Sequence, residues 1–227
     1  VAKRFYKKVA VSETANGFHV TLDGRVLKTP GKKPLLCIGE IQAQCVAEEW
    51  QAQIDEIRPE TMPCTRLMNV ACELTPDKRP ELISEFTKYC ETDLLCYRAS
   101  HPEDLVSLQN EKWQPVLDWA AKHHRIELAT TDGLEAIVQP GQSLQNTTEI
   151  AKKLTDANLT LLLHFTACYG SAILALAVME KHLDVSPAFE LSRLDEAFQN
   201  EQWGEDDEAI AKNTALLVEL TALSKLI

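Results

Sequence analysis

A chain of 227 residues that is 45% hydrophobic and 25% charged can bury a sizeable core, which excludes a fibrous repeat or an extended disordered polymer. Its net charge of −11 is uneven: residues 1–75 hold 10 Lys and Arg against 9 Asp and Glu, whereas residues 76–227 hold 13 against 25. An acidic surface repels phosphate backbones, so no nucleic-acid partner is expected, and the acidic half is either a solvated face or a docking surface for a basic protein.

Residues 1–8, Val-Ala-Lys-Arg-Phe-Tyr-Lys-Lys, show neither the apolar core nor the cleavage site of a secretory signal. Any targeting segment would lie upstream of them. Phe18, Val20 and Leu22 then alternate in the strand manner, and Asp23-Gly24 before Val26 and Leu27 is a two-residue hairpin turn. A small antiparallel sheet is expected from about residue 4 to 38, broken by Pro30-Gly31 and Pro34. After Gly39 the period changes, and Ala43, Val46, Ala47, Trp50 and Ile54 form one helical stripe. Leu67, Val70, Ala71 and Leu74 form a second, entered through Pro63. Residues 75–80, Thr-Pro-Asp-Lys-Arg-Pro, read as a linker between an N-terminal domain (1–75) and a C-terminal domain (76–227).

The second domain reads as mainly helical. Leu82, Phe86, Tyr89 and Cys90 mark one helix, and Leu105, Leu108, Trp113, Val116, Leu117 and Ala120 mark a longer one over about 102–124. Residues 126–138, with Asp132-Gly133 at the centre, predict a short hairpin, and a helix follows at about 143–156. The 22 residues 158–179 carry no formal charge, a length that would admit a membrane span. His164, Tyr169, Gly170 and Ser171 interrupt them, so the expectation is a buried central helix and no membrane insertion. Ser186-Pro187 starts a helix to about 202, and a last helix is expected over about 205–225.

The catalytic and cofactor motifs are incomplete. There is no Gly-rich phosphate loop, and Cys90 with Cys96, Cys64 with Cys72, and the adjacent His123-His124 are poorly spaced for one metal ion. Neither a cofactor nor a metal is expected, and no catalytic residue is assigned. The seven cysteines (37, 45, 64, 72, 90, 96 and 168) read as reduced thiols of a cytoplasmic or matrix-type compartment. The carboxylates near the C-terminal side stand apart from this pattern. At about 100° per residue from Leu191, Pro187, Leu194 and Phe198 define an apolar stripe that Asp195 and Glu201 border. Residues 180–208 hold ten acids against Lys181 and Arg193. Trp203 ends this helix as either a core residue or an interface anchor.

Five segments carry a family resemblance: 22–35 (LDGRVLKTPGKKPL), 47–50 (AEEW), 62–71 (MPCTRLMNVA), 92–98 (TDLLCYR) and 191–204 (LSRLDEAFQNEQWG). Together they resemble the assembly chaperones of the F-type ATP synthase that act on its alpha subunit, in mitochondria and related bacteria. The resemblance implies an α+β fold, a small N-terminal antiparallel sheet with helices followed by a mainly α-helical C-terminal domain. It implies a protein that shields the free alpha subunit until the beta subunit replaces it. It also implies a partner-binding role for the acids at Asp195-Glu196, to which position adds Glu201 and Trp203. Trp50, Arg66 and Asp93, which fall in the shared segments, are expected to serve folding. A monomer is expected, in the bacterial cytoplasm or, in a eukaryote, the mitochondrial matrix. An adaptor of another complex and a carboxylate-based enzyme are the alternatives; the enzyme would need Asp93, Asp195 and Glu201 to converge.

Overall fold

The computed structural model describes residues 2–133, 135–204 and 206–227. The chain divides into two compact units, one of Val1–Arg79, Thr155–Leu161 and Thr221–Ile227, the other of Pro80–Leu154 and Leu162–Leu220. The fold is the expected α+β arrangement, an N-terminal antiparallel sheet with helices and then a helical region.

In the first unit β1 (Ala2–Lys3) pairs with β6 (Glu56–Ile57), and β2 (Val9–Thr14), β4 (Arg25–Val26) and β5 (Leu36–Cys37) all pair antiparallel with β3 (Gly17–Leu22). The Asp23-Gly24 turn forms as the sequence predicts. Both residues take positive φ, 49° and 79°, and Leu22 stands opposite Arg25. Gly17, with φ 137°, starts β3 where β5 crosses closely, and a Cβ there would collide with the Cys37 carbonyl.

Helices α1 (Glu40–Ala52) and α2 (Pro63–Glu73) complete this layer. Gln42, Ala43, Cys45 and Val46 of α1 are buried, but Ile54 lies beyond the helix end and is 80% exposed. In α2 the buried face is Cys64, Leu67, Met68 and Ala71; Val70 and Leu74 are exposed, so the expected stripe is rotated by one position. No side chain at Met62 caps α2. Glu49 of α1 does so instead, accepting from the backbone N–H groups of Cys64 and Thr65 and from the Thr65 hydroxyl, each at 2.7 Å.

The segment read as a linker is helical: α3 runs Thr75–Glu91. Pro76 fits the first turn, where its missing N–H would have no helical partner. Thr75 is buried, its hydroxyl 2.7 Å from that of Thr160. Pro80, inside the helix, forgoes only the bond to the Pro76 carbonyl.

Next come a 3-10 turn (Leu94–Cys96), α4 (Glu103–His124) and α5 (Gly141–Lys153). Residues 126–138 do not form the expected hairpin among the described residues. The described residues of this segment are irregular, and Thr131 exchanges backbone bonds with Cys96 and Arg98 at 2.8 and 2.7 Å. The uncharged run is two helices, α6 (Asp156–Tyr169) and α7 (Ala172–Met179), because Gly170 takes φ 66° and the Ser171 hydroxyl caps the second. Residues 172–178 are all buried, as their lack of polar groups requires. The helix expected over 187–202 is likewise divided, into α8 (Val185–Ser192) and α9 (Leu194–Trp203), and α10 (Asp207–Leu223) ends in a 3-10 turn, Ser224–Leu226. Glu205, where that last helix was expected to begin, lies outside the described residues.

The Glu49 cap is a strong test of this packing. Glu49→Ala should lower the unfolding free energy by about 2–3 kcal/mol, because it strips three donors of one acceptor. Urea denaturation followed by far-UV circular dichroism measures it; an unchanged midpoint contradicts the assignment.

Candidate partner-binding site

The acid-bearing helix α9 is positioned from α4. The buried face of α4 runs through Leu105, Gln109, Trp113, Val116, Leu117 and Ala120, so a glutamine occupies a core position. Gln109, 1% exposed, satisfies both ends of its amide: Oε1 accepts from the Ala99 N–H at 2.7 Å and Nε2 donates to Asp195 Oδ1 at 2.7 Å. One turn on, the Trp113 indole donates to the Leu191 carbonyl at 2.9 Å. Arg98 also packs on α4, with its guanidinium 5.6 Å from the Trp113 ring and bonded to the Gln109 carbonyl and the Asn110 and Gln114 side chains. The Tyr97-Arg98 pair is therefore part of the framework of the second unit.

Arg193 makes the α8–α9 corner. Its guanidinium lies 5.0 Å from the Phe189 ring and donates to the Cys168 carbonyl at 3.1 Å. Its Nε stands 3.7 Å from Glu196. Helix α9 restarts at Leu194, its one buried residue, so the stripe drawn across 187–198 does not continue through the corner. Asp195 and Glu196 fall in its first turn, where the helix dipole favours carboxylates. The four expected partner-binding residues occupy two environments. Asp195 and Glu196 are half-buried and engaged, the second accepting from Asn213 at 3.2 Å. Glu201 is exposed, and Trp203 is 84% exposed. Gly204, at φ 89°, ends the helix directly after this tryptophan. Gln109, Arg193 and Asn213 were missed by sequence reasoning. A glutamine at the four-residue spacing between Leu105 and Trp113 was the available signal for the first.

Of the residues expected to serve folding, Trp50 is half-buried against Tyr6, with ring centroids 5.6 Å apart, and the Tyr6 hydroxyl donates to the Trp50 carbonyl at 2.7 Å. Arg66 is exposed on α2. Asp93 is fully buried and accepts from the N–H groups of Leu95 at 3.0 Å and Ile173 at 3.1 Å, tying the 3-10 turn to the N-terminus of α7. Burial pushes its pKa up to about 6, against the opposing pull of Leu95, Ile173, Ser171 and Ala172 as donors.

Asp93, Asp195 and Glu201 thus have three different surroundings: an enclosed backbone clamp, an amide-bonded helix start and an exposed helix end. An open groove of about 670 Å³ in the first unit is lined by the exposed Ile54, Asp55, Glu56, Arg58 and Thr61 and by Gln53, which is buried and bonded to Glu49, Arg58 and Thr61. Among the described residues no group of three or more His, Cys, Asp or Glu is arranged to hold a metal ion. No described helix is long and apolar enough to cross a membrane.

The model of the family described as ATP12 chaperone protein matches residues 3–121, more than half of the chain. The chain belongs to the ATP12 chaperone family. That family consists of chaperones of ATP synthase assembly. The crystal structure of Atp12 from Paracoccus denitrificans is 39% identical, with a TM-score of 0.94 over 99% of this chain and 97% of that one. A protein of Agrobacterium tumefaciens is 37% identical, with a TM-score of 0.94 over 99% of this chain and 84% of that one. Mitochondrial protein atp12 of Schizosaccharomyces pombe is 25% identical over 219 residues, 91% of this chain and 75% of its own. The structural likeness extends beyond residue 121 and so includes α9.

Asp93 gives the framework a pH signature. Its folded pKa is raised, so its contribution is fully present below the unfolded value and is lost as pH rises through about 6. The stability of the protein relative to its Asp93→Asn variant should fall by about 3 kcal/mol between about pH 4 and pH 7.5. Chemical denaturation of both proteins across that range measures the difference; a pH-independent difference would contradict the buried carboxyl.

Proposed function

We propose that this chaperone holds the free alpha subunit of the F-type ATP synthase head and shields its subunit-facing surface until the beta subunit takes its place. Trp203 carries the reading. A tryptophan 84% exposed, at the end of a helix flanked by acids, has the character of an interface anchor with a charged rim. Ten acids against two bases over residues 180–208 would steer a basic surface toward it. Glu201 and Trp203 are the contact residues, and Asp195 and Glu196 supply charge while fixing the start of the helix. Holding a subunit requires no bond to be made or broken, so the chain acts as a binding protein and not as an enzyme, without a cofactor. It works as a monomer in the bacterial cytoplasm or the mitochondrial matrix, compartments that suit its reduced thiols.

Titration of purified alpha subunit tests the assignment. Trp203→Ala should weaken binding by about 2 kcal/mol or more while leaving stability within about 0.5 kcal/mol of the parent. Glu201→Lys should act mainly through association rate and salt dependence, at less than ~1 kcal/mol if its contact stays solvated. Asp195→Lys should lower both stability and affinity, since it breaks the bond from Gln109. Parental affinity in Trp203→Ala and Glu201→Lys together would remove α9 from the interface.

A further inference from the structure

Four of the seven cysteines, Cys37, Cys45, Cys64 and Cys72, lie in the first unit, and two of them are brought side by side by a contact that holds the backbone itself. Cys45 and Glu49 are one turn apart on the same face of α1. The Glu49 carboxylate grips the backbone N–H of Cys64 at 2.7 Å, so the residue that starts α2 is clamped to the residue one turn beyond Cys45. The two thiols then bond to carbonyls of one short C-terminal segment, Cys45 to Lys225 at 3.4 Å and Cys64 to Ala222 at 3.5 Å. Those two carbonyls are three residues apart, so the thiols converge on one turn of the same segment.

We propose that Cys45 and Cys64 form a peroxide-oxidisable dithiol that closes a reversible disulfide between α1 and α2. The Cys64 thiol beside it holds the Cys45 thiol below its ordinary value, whereas the same contact and burial push Cys64 up. Cys45, the more exposed of the two at 8% against 3%, is the attacking thiol and Cys64 the resolving thiol. Cys45 is only 8% exposed, a limit that admits a small hydroperoxide and excludes a bulky disulfide reagent. The Cys45 thiolate attacks one oxygen of hydrogen peroxide, the O–O bond breaks, and the departing hydroxide takes a proton to leave as water. Sulfur is oxidised by two electrons to the sulfenic acid. Cys64 then attacks that sulfur, the S–S bond forms, and the sulfenic hydroxyl leaves with the Cys64 proton as a second water. Two thiols and one peroxide thus give one disulfide and two waters, and a small dithiol reverses the link. Formation of the bond withdraws both thiol donors from Ala222 and Lys225. Cys37, by contrast, is pushed up to about 12 by burial and by the neighbouring Cys72 and Cys45, which leaves it a protonated bystander.

The test treats the folded full chain with hydrogen peroxide, blocks the remaining thiols and maps the digest by mass spectrometry without reduction. The expected result is loss of two of the seven thiols, one cross-linked peptide pair joining Cys45 to Cys64, and its disappearance on adding dithiothreitol. In Cys64→Ser the Cys45 sulfenic acid should persist and be trapped by dimedone. Retention of all seven thiols under peroxide that oxidises the urea-unfolded chain would overturn the proposal. So would links among other cysteines with 45 and 64 left free.

Discussion

Buried polar groups on α4 must find partners inside the protein, and the partners they find determine where the acidic helix begins. Leaving the Gln109 amide or the Trp113 indole unpaired in the core would cost about 1–3 kcal/mol each. The Ala99 N–H, the Asp195 carboxylate and the Leu191 carbonyl meet that requirement. Since two of these lie on either side of Arg193, the α8–α9 corner is fixed from within, and α9 leaves it with a single buried residue. A helix anchored at its first turn and released along its length brings its last residue, Trp203, out to solvent. The exposure of that tryptophan is thus a consequence of how α4 is satisfied.

The same logic runs through the rest of the chain, where carboxylates repeatedly do the work of backbone partners. Glu49 caps α2, Asp93 clamps the 3-10 turn to α7, and Asp23 accepts from the N–H groups of Lys7 and Lys8 at the sheet turn. In each case the carboxylate's charge is taken up by backbone donors of its own fold. Under the proposed function, the acids left exposed near the end of α9 are the ones that would meet a partner.

The parts legible in the sequence were those set by local chemistry. Asp23-Gly24 admits one tight turn, and the spacing of Leu105, Trp113, Val116 and Ala120 identifies α4 with its length nearly correct. Helix breaks were not legible. Gly170-Ser171 and Arg193 interrupt runs whose apolar periodicity continues, and only the αL turn at Gly170 and the contacts of Arg193 with Phe189 and Cys168 decide the matter. Projecting one wheel across Arg193 therefore placed Asp195 beside an apolar stripe while giving no account of what holds it. Conversely, two prolines suggested a linker at 75–80, where the first turn of α3 tolerates Pro76 and the burial of Thr75 anchors the start. Asp132-Gly133 suggested a hairpin, but turn chemistry alone cannot supply a strand partner, and Thr131 finds its bonds at Cys96 and Arg98 instead. The expectation of a site at Asp195 and Glu196 came from family resemblance and that at Glu201 and Trp203 from position, and the division into engaged and exposed acids came only from the packing around α4.

The central claim is that this chain occupies the surface of the alpha subunit that the beta subunit later takes. The most direct measurement loads purified alpha subunit with the chain, adds beta subunit, and follows the species by size-exclusion chromatography with light scattering. The account predicts a one-to-one complex with alpha that beta dissolves, releasing the free chaperone as the alpha–beta pair appears. A stable ternary complex, with the chain still bound after beta has docked, would contradict it.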